Sequence, residues 1–168
     1  MTQRFKLLLV GDAQVGKTAY VSRLINKNNF VVNYVPTLGV DVYPVLLSNG
    51  FSDVIFDIWD IAGQYPGMSD AYFMQTHCAI IMYSLDNLAS YQHIQSHIDK
   101  IHNLCGDIPI FICGNKSDIP YNVRTVTENK YLVLSIKNND NIILPLAALL
   151  SMLLHNSTYI VKSYELGL

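Results

Sequence analysis

The sequence predicts an α/β domain, a six-stranded and mostly parallel sheet with helices on both faces, and three observations carry that prediction. Apolar runs of strand length alternate with stretches whose apolar positions recur at helical spacing. Between the first such run and the first such stretch stands GDAQVGKT, Gly11 to Thr18, which fits G-x-x-x-x-G-K-[ST]. The chain has 168 residues, 51% of them hydrophobic, so residues 1–168 suit one domain with a sizeable core.

FKLLLV, Phe5 to Val10, reads as a buried strand, and TAYVSRLIN after the glycine loop reads as a helix. A tight loop between them turns backbone N–H groups of Asp12, Ala13, Gln14, Val15, Gly16, Lys17, Thr18 and Ala19 toward one phosphate-sized hollow. The helix aims its positive end at the same anion, Lys17 reaches the outer phosphates, and the Thr18 hydroxyl is a ligand for magnesium.

NKNNFVVNYVPTLG is polar, aromatic and proline-bearing, so it is a loop, and it is long enough to be functional. Thr37 within it is the candidate second hydroxyl ligand for magnesium, binding only when a terminal phosphate draws the loop inward. Phe30 either stacks against a base or simply joins the core, and Tyr34 is placed to cover the phosphates. Val40 to Leu47 and Asp53 to Trp59 form an antiparallel pair around the turn residues Asn49 and Gly50.

In WDIAGQ, the strand-end carboxylate of Asp60 can hold magnesium through water. Gly63 can donate its N–H to a terminal phosphate, and Gln64 can orient an attacking water. A short helix follows, then the buried strand CAIIMYS, then one amphipathic helix from Asn87 to Cys105. His93 and His97 lie four apart on the outer side of that helix, where a solvated face is favoured over a metal site. IPIFICG is a buried strand with NKSD at its carboxyl end. There Asp118 can accept two hydrogen bonds from guanine that adenine cannot supply, Asn115 braces neighbouring loops, and the stem of Lys116 lies over the base. KYLVLS is the last strand, and Asn141 to His155 the last helix, with Pro145 in its first turn. The three loops after Val10, Trp59 and Gly114 all follow strands, so they converge at the carboxyl ends of the sheet.

Net charge is −2 and only 14% of residues are charged, without a basic run, which argues against nucleic-acid binding. The three cysteines, Cys78, Cys105 and Cys113, have spacings that suit neither zinc nor a disulfide framework, and read as thiols in a reducing compartment. No signal-peptide form, membrane-length apolar stretch or C-terminal C-a-a-X cysteine is present. The expectation is a soluble, intracellular protein, cytoplasmic or nuclear, with no lipid anchor.

With these residues in place the chain resembles a Ras-superfamily small GTPase, most closely the nuclear-transport Ran branch, from Arg4 to about Val161. GDAQVGKT, WDIAGQ, NKSD and the serine of SIK, Ser135, are similar to the whole superfamily; YVPTLGVDVYPV, CAIIMY and IPIFICGNKSDI are similar to the Ran branch. The resemblance implies a P-loop small G-domain that binds GTP or GDP with Mg2+. Gly16, Lys17 and Thr18 would bind phosphates and magnesium, Thr37 and Gly63 would sense the terminal phosphate, and Gln64 would position water, assisted by Tyr34. Asn115, Lys116 and Asp118 would read guanine, helped by the backbone at Ser135, Ile136 and Lys137. Implied partners are a GTPase-activating protein, an exchange factor and transport receptors.

The chain also departs from the branch it resembles. Ala13 and Gln14 replace the two small residues of the phosphate loop, where added side chains crowd the terminal phosphate. Ile61 replaces a threonine, Tyr65 a glutamate and Ser69 an arginine, and the loop after Trp59, which the resemblance makes the second of two nucleotide-sensing switches, is about two residues short. Only 18 residues, 119 to 136, separate Asp118 from Lys137, so the helix before the last strand is expected to be reduced or absent, along with its basic patch.

The final helix is apolar nearly all round, with Ser151 the one polar residue from Leu144 to Leu154. An exposed apolar patch is therefore expected there, covered by a dimer partner, another protein or the tail YIVKSYEL. The leading functional expectation is a GTP-hydrolysing switch. The competing one is a binding module that holds GTP, hydrolyses it poorly and titrates transport factors.

Overall fold

The first apolar run forms β1 (Gln3–Val10), the central strand of the sheet. The computed structural model describes residues 2–26, 36–48, 53–63, 69–120, 123, 131–154 and 165–166. After β1 come α1 (Lys17–Ile25), β2 (Val40–Ser48), β3 (Asp53–Ile61), a 3-10 turn (Asp70–Phe73) and β4 (Cys78–Ser84). Then follow α2 (Leu88–Gln92), α3 (Ile94–Cys105), β5 (Ile110–Asn115), β6 (Tyr131–Val133), α4 (Leu144–Leu153) and β7 (Glu165–Leu166).

The strand order is β6-β5-β4-β1-β3-β2-β7. β1 runs parallel to β3 and β4, and β4, β5 and β6 continue the parallel set. β2 lies antiparallel to β3. All six expected strands are present, and the two-residue β7 is added to them, Leu47 opposite Leu166 and Ser48 opposite Glu165. A strand of two residues has no periodicity for a sequence to display.

Alternation along β1 divides the interior into two layers. Leu7 and Leu9 pack with Val21 and Leu24 of α1 and Leu146, Leu149 and Leu150 of α4. Leu8 and Val10 face the other way, toward Ile94 and Ile101 of α3. β4, covered on both faces, is buried at all seven positions. Helices therefore cover both faces, and the strand carboxyl ends share one rim.

The single helix expected from Asn87 to Cys105 is two. Asn87 caps α2 by accepting from Ala89 N and Ser90 N, and His93 (φ −80°, ψ −6°) forms the joint with α3. The Ser90 hydroxyl donates to the Asn87 carbonyl at 2.7 Å, a local bond that competes with helical pairing. The last helix likewise begins at Leu144 rather than Asn141, because Asn141 is left-handed (φ 60°) beside the bridge between Ser135 and Asp140. Its expected end, His155, lies outside the described residues.

No helix occurs between β5 and β6 among the described residues, although most of that segment, including 124–130, lies outside them. The residues of α4 are all buried or half-buried, with Ala148, Met152 and Leu153 packed against the same layer as Leu146 and Leu149, and most of the tail YIVKSYEL, expected as one cover, lies outside the described residues. The large apolar side chains exposed among the described residues are Leu38, Val42, Met74 and Leu88. No described helix is long and apolar enough to cross a membrane.

Candidate functional site

The chain leaves β1 through Gly11 and loops to the start of α1 with left-handed backbone at Gln14 (φ 63°) and Gly16 (φ 108°). Gly16 stands at the N-cap of α1 without a side-chain cap, so the first-turn N–H groups are not claimed by a side chain there. Such an end accepts an anion. Lys17 is buried beneath the loop, donating from Nζ to the carbonyls of Gly11 at 2.8 Å and Asp12 at 2.7 Å. Burial pushes its pKa down to about 8, against the pull of Asp60 and Asp12.

Beside the loop, Thr18, Thr37 and Asp60 come together from α1, the segment before β2 and the end of β3. Thr18 Oγ1 donates to Asp60 Oδ2 at 2.6 Å and lies 2.9 Å from Thr37 Oγ1. Burial pushes the Asp60 carboxyl pKa up, opposed by the Thr18 hydrogen bond and the charge of Lys17. Asp60 Oδ1 is buried with no hydrogen-bond partner. Two hydroxyls and a carboxylate with an unused buried oxygen are hard oxygen donors, and they fit magnesium.

Gly63 backs directly onto this loop. A Cβ there would lie 2.3 Å from the Ala13 nitrogen and 2.4 Å from the Asp12 carbonyl carbon. Only a residue without a side chain permits that approach. A cavity of about 330 Å³ opens beside the loop, between Gly11, Gly63 and α3, rather than over it.

At the end of β5, Asn115 is buried and joins two loops. Its Nδ2 donates to the Val15 carbonyl at 2.9 Å, and its Oδ1 accepts from Ile136 N at 3.2 Å. Asp118 accepts from the Ser135 hydroxyl at 2.7 Å, with Lys137 Nζ 3.7 Å from its other oxygen. Lys116, left-handed at φ 70°, reaches Asp86 at 3.2 Å. Partial burial of Asp86 opposes ionisation, but hydrogen bonds from Ser84 and Lys116 hold its pKa below the usual carboxylate range.

The structure thus gathers Asp12 through Ala19, Thr37, Asp60 and Gly63 at one end of the rim. Asn115, Lys116, Asp118, Ser135, Ile136 and Lys137 lie at the other, with Asn115 as the tie. Phe30, Tyr34 and Gln64 lie outside the described residues. Arg23 is a tie that sequence reasoning missed: its guanidinium donates to the carbonyls of Ile136 at 3.0 Å and Lys137 at 2.7 Å. Arginine in a helix ordinarily reads as surface, and only the fold brings those carbonyls to it.

His93 and His97 do not stand on a merely solvated face. Both meet Asp12 of the phosphate loop, His93 Nδ1 at 2.7 Å and His97 Nε2 at 3.2 Å. Each contact is within hydrogen-bond distance, one imidazole nitrogen to each carboxylate oxygen.

Asn115→Ala would leave the Val15 carbonyl and the Ile136 N–H buried without partners. The expected cost is about 2–4 kcal/mol of folding stability, read by urea unfolding. A cost near zero would mean that the two loops hold one another without this tie.

A mostly parallel sheet with a phosphate loop after its first strand and a hard-cation cluster at the end of the neighbouring parallel strand β3 defines a P-loop small G-domain. The sequence matches the model of the Ras family over residues 6–143, most of the chain, and the protein belongs to that family. Ras-family GTPases bind GTP and GDP, usually with Mg2+, and interact with activating proteins and exchange factors.

Proposed function

We propose that this chain is a guanine-nucleotide switch of the Ran type, which binds Mg-GTP, hydrolyses it slowly and serves nucleocytoplasmic transport. The observation that carries the switch is the meeting of Thr37 with Thr18 and Asp60 Oδ2, 2.9 and 3.5 Å away, because it couples a loop to the cation cluster. Magnesium held by Thr18, Thr37 and Asp60 would neutralise charge on the phosphates.

Each residue has a role in this reading. Backbone from Asp12 to Ala19 cradles the phosphates, and Lys17 leaves the Gly11 and Asp12 carbonyls to meet them. Gly63 presents its N–H to the terminal phosphate, while Gln64 orients water and Tyr34 covers the site. Asp118 reads guanine, with Ser135, Ile136 and Lys137 around it, Lys116 along the base and Phe30 at its edge. Loss of the terminal phosphate frees Thr37 and Gly63, and the loops part.

A second reading rests on Ala13. Gly63 approaches Ala13 so closely that a Cβ there would lie 2.3 Å from the Ala13 nitrogen, and in this reading the Ala13 methyl and the Gln14 side chain crowd the terminal phosphate and Gln64. A hydrolysis-impaired module that titrates transport receptors follows from that crowding.

Single-turnover hydrolysis of bound GTP, with and without a Ran-type activating protein, separates the two. The switch predicts tight GTP binding over ATP and acceleration by roughly 10³- to 10⁵-fold. Tight GTP binding without acceleration favours the titrating module, and equal binding of ATP overturns both.

A further inference from the structure

Resting on the guanine-nucleotide reading and deepening it, we propose that His93 and His97 are positioning residues that hold the phosphate loop through Asp12, and that His97 makes nucleotide release sensitive to acid. His93 Nδ1 meets Asp12 Oδ2 at 2.7 Å and His97 Nε2 meets Oδ1 at 3.2 Å, so each carboxylate oxygen has its own imidazole. A carboxylate only accepts, so both facing ring nitrogens carry protons.

The main chain of Asp12 is the crossing point of the site. Its carbonyl takes the Lys17 ammonium at 2.7 Å, and Gly63 packs against its carbonyl carbon. The histidines come from the α2–α3 joint and the first turn of α3, a framework anchored in the core by Ile94 and Ile101. They fix from outside the loop that would hold the phosphates from inside.

The groups around His97 are Asp12 from the phosphate loop, Lys17 from α1, His93 from its own stretch of chain, and Lys100, which lines the same cavity. Burial holds the His97 pKa below its ordinary value, with Asp12 pulling it up and Lys17 and His93 pushing it down. The imidazole therefore enters neutral solution uncharged. Bound phosphates add negative charge nearby and favour its protonation, so proton uptake and nucleotide binding reinforce each other. Once charged, His97 pairs with Asp12 as an ion pair and grips the loop harder.

The test is dissociation of N-methylanthraniloyl-GDP from the full chain between about pH 8 and pH 5.5. Wild type is expected to release it several-fold more slowly at the acid end. The His93→Ala/His97→Ala variant is expected to release it about tenfold faster at neutral pH. His93→Asn/His97→Gln keeps a neutral donor at each place, so its neutral release rate stays within about twofold of wild type while the pH dependence disappears.

A flat wild-type profile overturns the proposal, and so does an alanine variant that releases at the wild-type rate. Should the alanine variant fail to fold by circular dichroism, the Asn/Gln variant decides alone. A flat profile in that variant supports the proposal, and a wild-type slope overturns it. Wild type that binds no labelled GDP overturns the guanine-nucleotide reading and this proposal together, whereas binding with unchanged variants overturns only the proposal.

Discussion

Lys17→Met is expected to stabilise the nucleotide-free protein while weakening GTP binding by about 10²- to 10³-fold. Lys17 is 6% exposed, and among the described residues its ammonium donates to the Gly11 and Asp12 carbonyls. Burial lowers its pKa from 10.5 to about 8. The unfolded chain therefore holds that proton up to a higher pH than the folded one. The cost of burying the charge is present in full below about pH 8 and fades as pH rises toward 10.5. At neutral pH, methionine removes that cost and fills similar volume, although two carbonyls lose a donor. A net gain of about 1–2 kcal/mol remains, roughly 2–6 °C in melting temperature. Calorimetric melting of stripped protein and titration with Mg-GTP read the two effects, and GTP association in wild type is expected to weaken above about pH 8. A variant less stable when empty would make Lys17 a structural brace rather than a buried charge kept for phosphate.

What the sequence discloses here is what lies close together along the chain. The phosphate loop is eight consecutive residues, and its glycines, lysine and threonine are readable without the fold. NKSD and the strand-end Asp60 are legible for the same reason. Contacts across distant elements are not. Asp12 and His93 stand 81 residues apart, Asp12 and His97 85, and neither local pattern hints at the other. Helical spacing puts the histidine pair on the outer face of its helix. The direction of that face depends on how α3 packs on β4 and where the loop after β1 emerges. The division at His93 is invisible in the pattern because the apolar stripe continues across it, and periodicity is blind to a single altered ψ. The apolar α4 is ambiguous for a related reason: a helix apolar all round signals a surface that is covered, and only the fold shows by which neighbours.

Gly16→Ala is expected to cost about 3–5 kcal/mol and abolish nucleotide binding, and its cause is separable from ordinary glycine strain. Gly106 supplies the control. It lies at φ 77° and ψ −158°, a backbone region essentially reserved for glycine, and a Cβ added there would meet no neighbouring heavy atom within 4 Å, so Gly106→Ala costs only the backbone penalty. That penalty is about 1–3 kcal/mol. Gly16, left-handed at φ 108° and ψ 17°, incurs a backbone penalty of about 1 kcal/mol. Its Cβ would also fall 2.3 Å from Asn115 Nδ2 and 3.2 Å from the Ile136 side chain. Asn115 must then leave the Val15 carbonyl and the Ile136 N–H, and both loops lose their tie at once. Melting temperature is expected to fall by on the order of 10 °C, against a few degrees for Gly106→Ala. Because Gly16→Ala already displaces Asn115, adding Asn115→Ala costs less than it does alone, with a coupling of about 1–2 kcal/mol in a double-mutant cycle. Full additivity would mean that Asn115 swings aside without losing its bonds, and that the phosphate and base ends of the site are not joined through this side chain.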